Sequence, residues 1–136
     1  MVEEQEKTQN NVEFDLNYRL ILTTQRRMKM IDEVVSKHLR LIFLSTQVNF
    51  RIRLKNWANN ADYVLIDFSA HPKSELSRFI NAYKSVSNKM VQEEFSTIAE
   101  ELRGDYFWDR SFCLVTLGDP VMETVLVTQY LENHKQ

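Results

Sequence analysis

An α+β sandwich of the ferredoxin-like, split βαβ kind is predicted by three features of this sequence. Apolar residues alternate with polar ones in some short segments and recur at helical spacing in others. These segments follow one another as strand, helix, strand, strand, helix, strand, helix, and this order up to the fourth strand folds as a four-stranded antiparallel sheet with two helices on one face. The chain has 136 residues, 43% of them hydrophobic, which suits one domain with a real core and leaves too little for two.

Residues 1–11 are polar and aperiodic and read as a disordered lead-in; residues 12–136 form the single domain. From Phe14 the apolar residues alternate (Phe14, Leu16, Tyr18, Leu20, Leu22), giving a half-buried first strand that ends at Thr23-Thr24-Gln25. The first helix follows from Ile31, Val34, Val35, His38, Leu41 and Ile42 at helical spacing, with Leu39 and Leu44 widening the stripe. Val48, Phe50, Ile52 and Leu54 alternate with Asn49, Arg51, Arg53 and Lys55, so the second strand is expected to carry one apolar and one basic face. Asn56 to Asn60 supply turn formers, and a third strand has Val64, Ile66 and Phe68 on one face, Tyr63, Leu65, Asp67 and Ser69 on the other.

After His71-Pro72, a long amphipathic second helix is marked by Leu76, Phe79, Ile80, Tyr83, Met90, Val91 and Phe95, with Ser74 as its cap. A polar, acidic connection through Gly104 leads to a fourth strand, Ser111 to Leu117, and Pro120 opens a last helix reaching about Asn133. With the apolar strand faces turned to the helices, Arg51, Arg53, Lys55, Tyr63, Leu65 and Asp67 share the open face, a cradle for a polyanion. The formal charge of −2 opposes that reading, because phosphate is neutralised by clustered lysine and arginine. Cys113, alone in an apolar run, forms no intrachain disulfide and reads as a buried small hydrophobe in a reducing compartment. No apolar run approaches the roughly 20 residues of a membrane span, and the acidic N-terminus is unlike a signal peptide, so a cytoplasmic protein is expected.

The chain resembles the single-tyrosine HUH transposases, which move bacterial insertion sequences as single-stranded DNA. The resemblance runs from Asn17 to the end. It is carried by Tyr18 to Arg27 as an opening strand with a trailing basic pair, and by Lys84, Ser87, Lys89, Glu94 and Phe95 on the second helix, similar to a Lys-x-x-Ser-x-Arg pattern ending in Glu-Phe. Two later segments add to it: Phe107-Trp108-Asp109-Arg110-Ser111-Phe112, like a Trp-x-x-Ser-Tyr/Phe segment, and Gln129-Tyr130-Leu131-Glu132-Asn133-His134, like a Tyr-Ile-Glu-Asn-Gln terminus.

The resemblance implies a tyrosine that attacks a DNA phosphate, aided by a divalent metal held by two histidines on one face of the third strand and by a glutamine four residues after the tyrosine. Carried onto this chain, the nucleophile is Tyr130, the histidine pair falls on Tyr63 and Leu65, and the glutamine on His134. Leucine offers no lone pair and a neutral phenol is a poor ligand for a hard ion, leaving Asp67 and His134 as scattered donors. Magnesium or manganese is therefore expected only if the protein is active. The stretch from Gly118 to Tyr130 is about two residues longer than the family usually has, a rotation of roughly 200° that would turn Tyr130 away from the third strand unless the helix starts later.

The resulting expectation is an inactivated transposase derivative that binds single-stranded or hairpin DNA as a homodimer, with Arg26, Arg27, Arg51, Arg53, Lys55, Lys84 and Lys89 as its DNA contacts. An active enzyme with a metal site rearranged around Asp67 and His134, and an interaction module without DNA binding, are the alternatives.

Overall fold

Strand order β2-β3-β1-β4, antiparallel throughout, is the sheet of the expected split βαβ sandwich. The protein is represented by a computed structural model that describes residues 16–118 and 120–134, with backbone only for residues 120–123. The 1–11 lead-in and the strand start at Val12 and Phe14 lie outside the described residues. Strands β1 (Leu16–Thr23), β2 (Ile52–Asn60), β3 (Tyr63–Ala70) and β4 (Cys113–Thr116) alternate with helices α1 (Glu33–Thr46), α2 (Leu76–Glu94), α3 (Ser96–Leu102) and α4 (Pro120–Asn133).

Two of the strands follow the predicted alternation. Leu20 and Leu22 of β1 lie opposite Ile66 and Val64 of β3, and all four are fully buried under the helices. Their counterparts Arg19, Ile21 and Thr23 lie opposite Asp67, Leu65 and Tyr63 on the other face. Phe43 of α1 is the hub of the core, edge-on to Phe79 at 5.1 Å and to Tyr83 at 5.4 Å, with Phe68 and Trp57 close by. Tyr83 donates its hydroxyl to Leu39 O at 2.9 Å, and burial pushes the phenol well above its ordinary pKa, so it stays a neutral donor joining α2 to α1.

Several expectations are corrected. The start of the predicted second strand is a 3₁₀ turn (Gln47–Phe50) followed by Arg51 in the left-handed region at φ 55°. Asn56 to Asn60, expected to turn, instead pair with β3, and the turn is Ala61-Asp62. Pairing supplies the ladder that local propensity withholds, and an edge strand tolerates asparagine. A bulge at Lys55 shifts the register between Leu54, opposite Phe68, and Asn56, opposite Asp67. Past it, Trp57 returns to the helix side, where its Nε1 donates to Ser36 Oγ at 3.0 Å. The basic stripe is thereby dispersed: Arg51 precedes the strand, Lys55 sits in the bulge, and Arg53 alone lies opposite Ser69.

Helix α1 is rotated from the expected stripe: it buries Val35, Ser36, Leu39, Ile42 and Phe43 and leaves Val34 and Leu41 exposed. Asp32 caps it by accepting from Val35 N at 2.8 Å. Ser74 does not cap α2; its hydroxyl donates to Phe50 O at 2.8 Å. The acidic connection contains α3, which buries Ile98 and Leu102. Phe43→Ala should lower the unfolding free energy by roughly 3–5 kcal/mol, read from urea titrations with an unchanged m-value.

Candidate active site

The segment leading into β4 is held from below by three side chains of α2. Lys84, 4% exposed, donates its ammonium to the carbonyls of Asp109 at 2.7 Å, Arg110 at 3.1 Å and Ser111 at 3.3 Å. Burial lowers its pKa, opposed by the nearby Asp109 charge. Ser87 accepts from the buried Trp108 Nε1 at 2.8 Å while donating to Tyr83 O, and Asn88 Oδ1 accepts from Phe107 N at 2.8 Å. The two sequence segments singled out above thus clasp each other, and Ser111 is presented to α4.

Ser111 Oγ has three partners: Asp109 Oδ2 at 2.7 Å, Tyr130 Oη at 2.9 Å and His134 Nε2 at 3.0 Å. A hydroxyl has one proton and two lone pairs. The carboxylate can only accept, so Ser111 donates to Asp109, and Tyr130 and His134 must both donate to Ser111. His134 Nδ1 also faces Tyr130 O, at 2.8 Å. Its ring stacks on Tyr130 with centroids 4.1 Å apart. Burial raises the Asp109 carboxyl, but hydrogen bonds from Ser111 and the His134 charge outweigh it and hold the group below its ordinary pKa.

Tyr130 does not turn away. Half-buried, it reaches Ser111, with Thr23 of β1 beside it. Burial dominates its titration and raises the phenol above its ordinary value despite these hydroxyls, so the nucleophilic phenolate is disfavoured. A helix joined to the sheet through a short connection can adjust its phase, and here the contacts to Ser111 set it.

The position of the family metal is built differently. Tyr63 accepts from Asn60 Nδ2 at 3.1 Å. Leu65 lies opposite the fully buried Ile21, which in turn lies opposite Cys113 of β4, so the centre of this face is apolar. Asp67 gives both oxygens to Arg19, at 2.7 and 2.9 Å. His134 is committed to Ser111 and Tyr130 O. Among the described residues no group of three or more His, Cys, Asp or Glu side chains could hold an ion. This donor set does not fit a divalent metal.

The basic residues divide into two groups. Arg27 is clamped: it pairs with Asp62 at 3.0 Å, donates to Leu131 O of α4 at 3.1 Å, and sits 5.9 Å from the centre of the Tyr63 ring. Arg26 pairs with Asp105 at 2.8 Å, and Lys84 is used as described. Arg51, Arg53, Lys55 and Lys89 are exposed. Asp109, Ser111, Arg19 and Thr23 were given no role from the sequence; Ser111 stood in the Trp108-x-x-Ser111 segment, while Arg19 and Thr23 become legible only with the strand register.

Lys84→Met should destabilise by roughly 1–3 kcal/mol by leaving carbonyls without a donor, with faster amide exchange confined to residues 107–111. Arg27→Ala should speed exchange across α4 and leave β1 and β3 protected. Because the Asp109 carboxyl is held below its unfolded value, it stabilises the fold at neutral pH, and that contribution drains away as pH falls from about 4 downward; Asp109→Asn should flatten this part of the acid-unfolding curve.

The family described as IS200-like transposase matches residues 12–134. The ISDra2 transposase TnpA of Deinococcus radiodurans is 23% identical over 106 residues, which cover 78% of this chain and 76% of the relative. The crystal structure of a transposase candidate from Deinococcus radiodurans R1 superposes with a TM-score of 0.78 at 24% identity, covering 90% of this chain and 92% of that one. A REP-associated tyrosine transposase bound to a REP hairpin shares the fold at a TM-score of 0.58 and 7% identity, over 82% of this chain and 62% of its own. With nearly its whole length matched by the family, the chain belongs to the IS200-like transposases.

Proposed function

We propose that this protein is a cytoplasmic, dimeric DNA-binding derivative of an IS200-like transposase that has lost metal-dependent strand cleavage. The observation that carries the loss of cleavage is the Arg19–Asp67 pair beside Leu65: on the face where the family chemistry needs ligands, one carboxylate is fully engaged and its neighbours are apolar. The raised pKa of Tyr130 acts in the same direction. Binding has different requirements and survives the change. Arg51, Arg53, Lys55 and Lys89 remain exposed, and a REP-associated tyrosine transposase of similar fold is bound to a REP hairpin, which supports this reading. Exposed Val125 and Leu126 on α4 support a second copy as the partner of that helix. Among the described residues no helix is long and apolar enough to cross a membrane.

A labelled hairpin and an unstructured single strand, followed by fluorescence anisotropy, should both bind with affinity that falls as salt rises. Arg53→Ala should weaken binding across sequences and reduce the single-strand salt slope by about 0.7. Neither strand nicking nor a covalent protein–DNA adduct should form with magnesium or manganese, in the native protein or in Tyr130→Phe. Cutting that is lost in Tyr130→Phe would overturn the inactive assignment, and no DNA affinity at low salt would favour an interaction module, which the net charge of −2 also suits.

A further inference from the structure

A cleft of about 430 Å³ lies between α2, the connection from α3 to β4 and the turn after β1. Gln25, Asn81, Tyr106 and Arg110 line it, and among the described residues their side chains make no hydrogen bond, ion pair or ring contact. The other polar side chains of the wall are already engaged. Lys84 gives its ammonium to three carbonyls, and Asp105 pairs with Arg26.

The groups left over define the chemistry of a ligand. Tyr106 is 37% exposed, and burial of the rest of the side chain raises its phenol above the ordinary value, so it presents a neutral ring face. The exposed Arg110 offers N–H donors alone, whereas the amides of Gln25 and Asn81 each offer a donor and an acceptor. A phosphate would use only the donors and would be repelled by the amide oxygens. A nucleobase has a flat face to stack and an edge that carries both kinds of group. Guanine matches best, because its O6 and N7 accept from a guanidinium while its N–H groups donate to an amide oxygen. The volume falls within the roughly 300–1,000 Å³ of small-ligand sites and suits one nucleoside.

We infer that this cleft binds a purine base, guanine before adenine, with the base stacked on Tyr106 and its edge read by Arg110, Asn81 and Gln25. The inference rests on the DNA-binding reading only for the source of the base, a strand or a free nucleotide.

The test is an amide NMR titration of the full chain. The probes are the guanosine, adenosine and cytidine monophosphates, inorganic phosphate, and two short oligothymidine strands with either guanine or cytosine as the central base. Saturable shifts confined to residues 25, 81, 103–106 and 110 are expected with the guanosine nucleotide, weaker with adenosine, about tenfold weaker with cytidine, and absent with phosphate. Tighter binding of the guanine-containing strand than of the free nucleotide identifies a strand as the source; the reverse order identifies the free nucleotide.

Because the Tyr106 side chain makes no ring contact or hydrogen bond among the described residues, Tyr106→Leu should leave the melting temperature unchanged while weakening guanine about tenfold. Tyr106→Phe keeps the stacking face and should bind like the native protein. Asn81→Ala should weaken guanine and reduce its preference over cytosine. Shifts that inorganic phosphate reproduces, equal binding of the guanosine and cytidine nucleotides, or native-like affinity in Tyr106→Leu would overturn the site. Arg53-dependent strand binding with a silent cleft removes this inference and leaves the proposed DNA binding standing; a responsive cleft with no affinity for long single strands does the reverse.

Discussion

The clasp between α2 and residues 107–111 is the interaction on which the site depends. Lys84, Ser87 and Asn88 lie within five residues of one helix and bond respectively to the Asp109, Arg110 and Ser111 carbonyls, the Trp108 indole and the Phe107 amide. A buried ammonium is costly unless its protons are used, and three carbonyls in sequence use all of them. The result is a rigid ledge at the start of β4. Trp108 fills the core below it, and Ser111 on its upper side is the anchor for Tyr130 and His134. Residues that a transposase reading would spend on DNA are spent here on backbone.

The face at the position of the family metal is satisfied by the protein's own contacts. Positions facing a metal must otherwise be satisfied by water or by each other. Here Asp67 and Arg19 satisfy each other in a two-point pair, Tyr63 is bonded to Asn60, and Leu65 lies opposite the buried Ile21. What remains polar has moved to the edge, around Thr23, Ser111 and His134, where hydrogen-bond donors take the place of ligand lone pairs.

Much of the fold was legible because the large apolar residues of β1 and β3 that face the helices recur with a period of two, although Ile21, Thr23, Asp67 and Ser69 on the other face, expected to be open, are buried as well. The first half of the predicted second strand was not, because Val48 and Phe50 alternate by coincidence within a 3₁₀ turn, and the Asn-rich stretch is held extended only by its pairing with β3. One bulged residue at Lys55 then transferred every later side chain to the opposite face, while the basic stripe had already lost Arg51, which precedes the strand. Tyr130, Tyr63 and Leu65 were singled out by resemblance alone. The partners of Arg19, Arg27 and Lys84 were not, since each lies 25 or more residues away in sequence and is set by tertiary register alone.

Arginine at strained backbone positions extends this argument. Among the described residues the four non-glycine residues with positive φ are Arg26, Arg27, Arg51 and Arg103. Each such residue costs of the order of 1 kcal/mol that glycine would avoid. At Arg26 and Arg27 the side chains give a reason for keeping arginine: one pairs with Asp105, and the other ties the β2–β3 turn and α4 together. Two successive left-handed residues fold the chain back sharply after β1. The strain is therefore spent on ties between segments distant in sequence, each guanidinium being matched by a carboxylate, so that the basic pair after β1 serves the fold in a chain that is acidic overall.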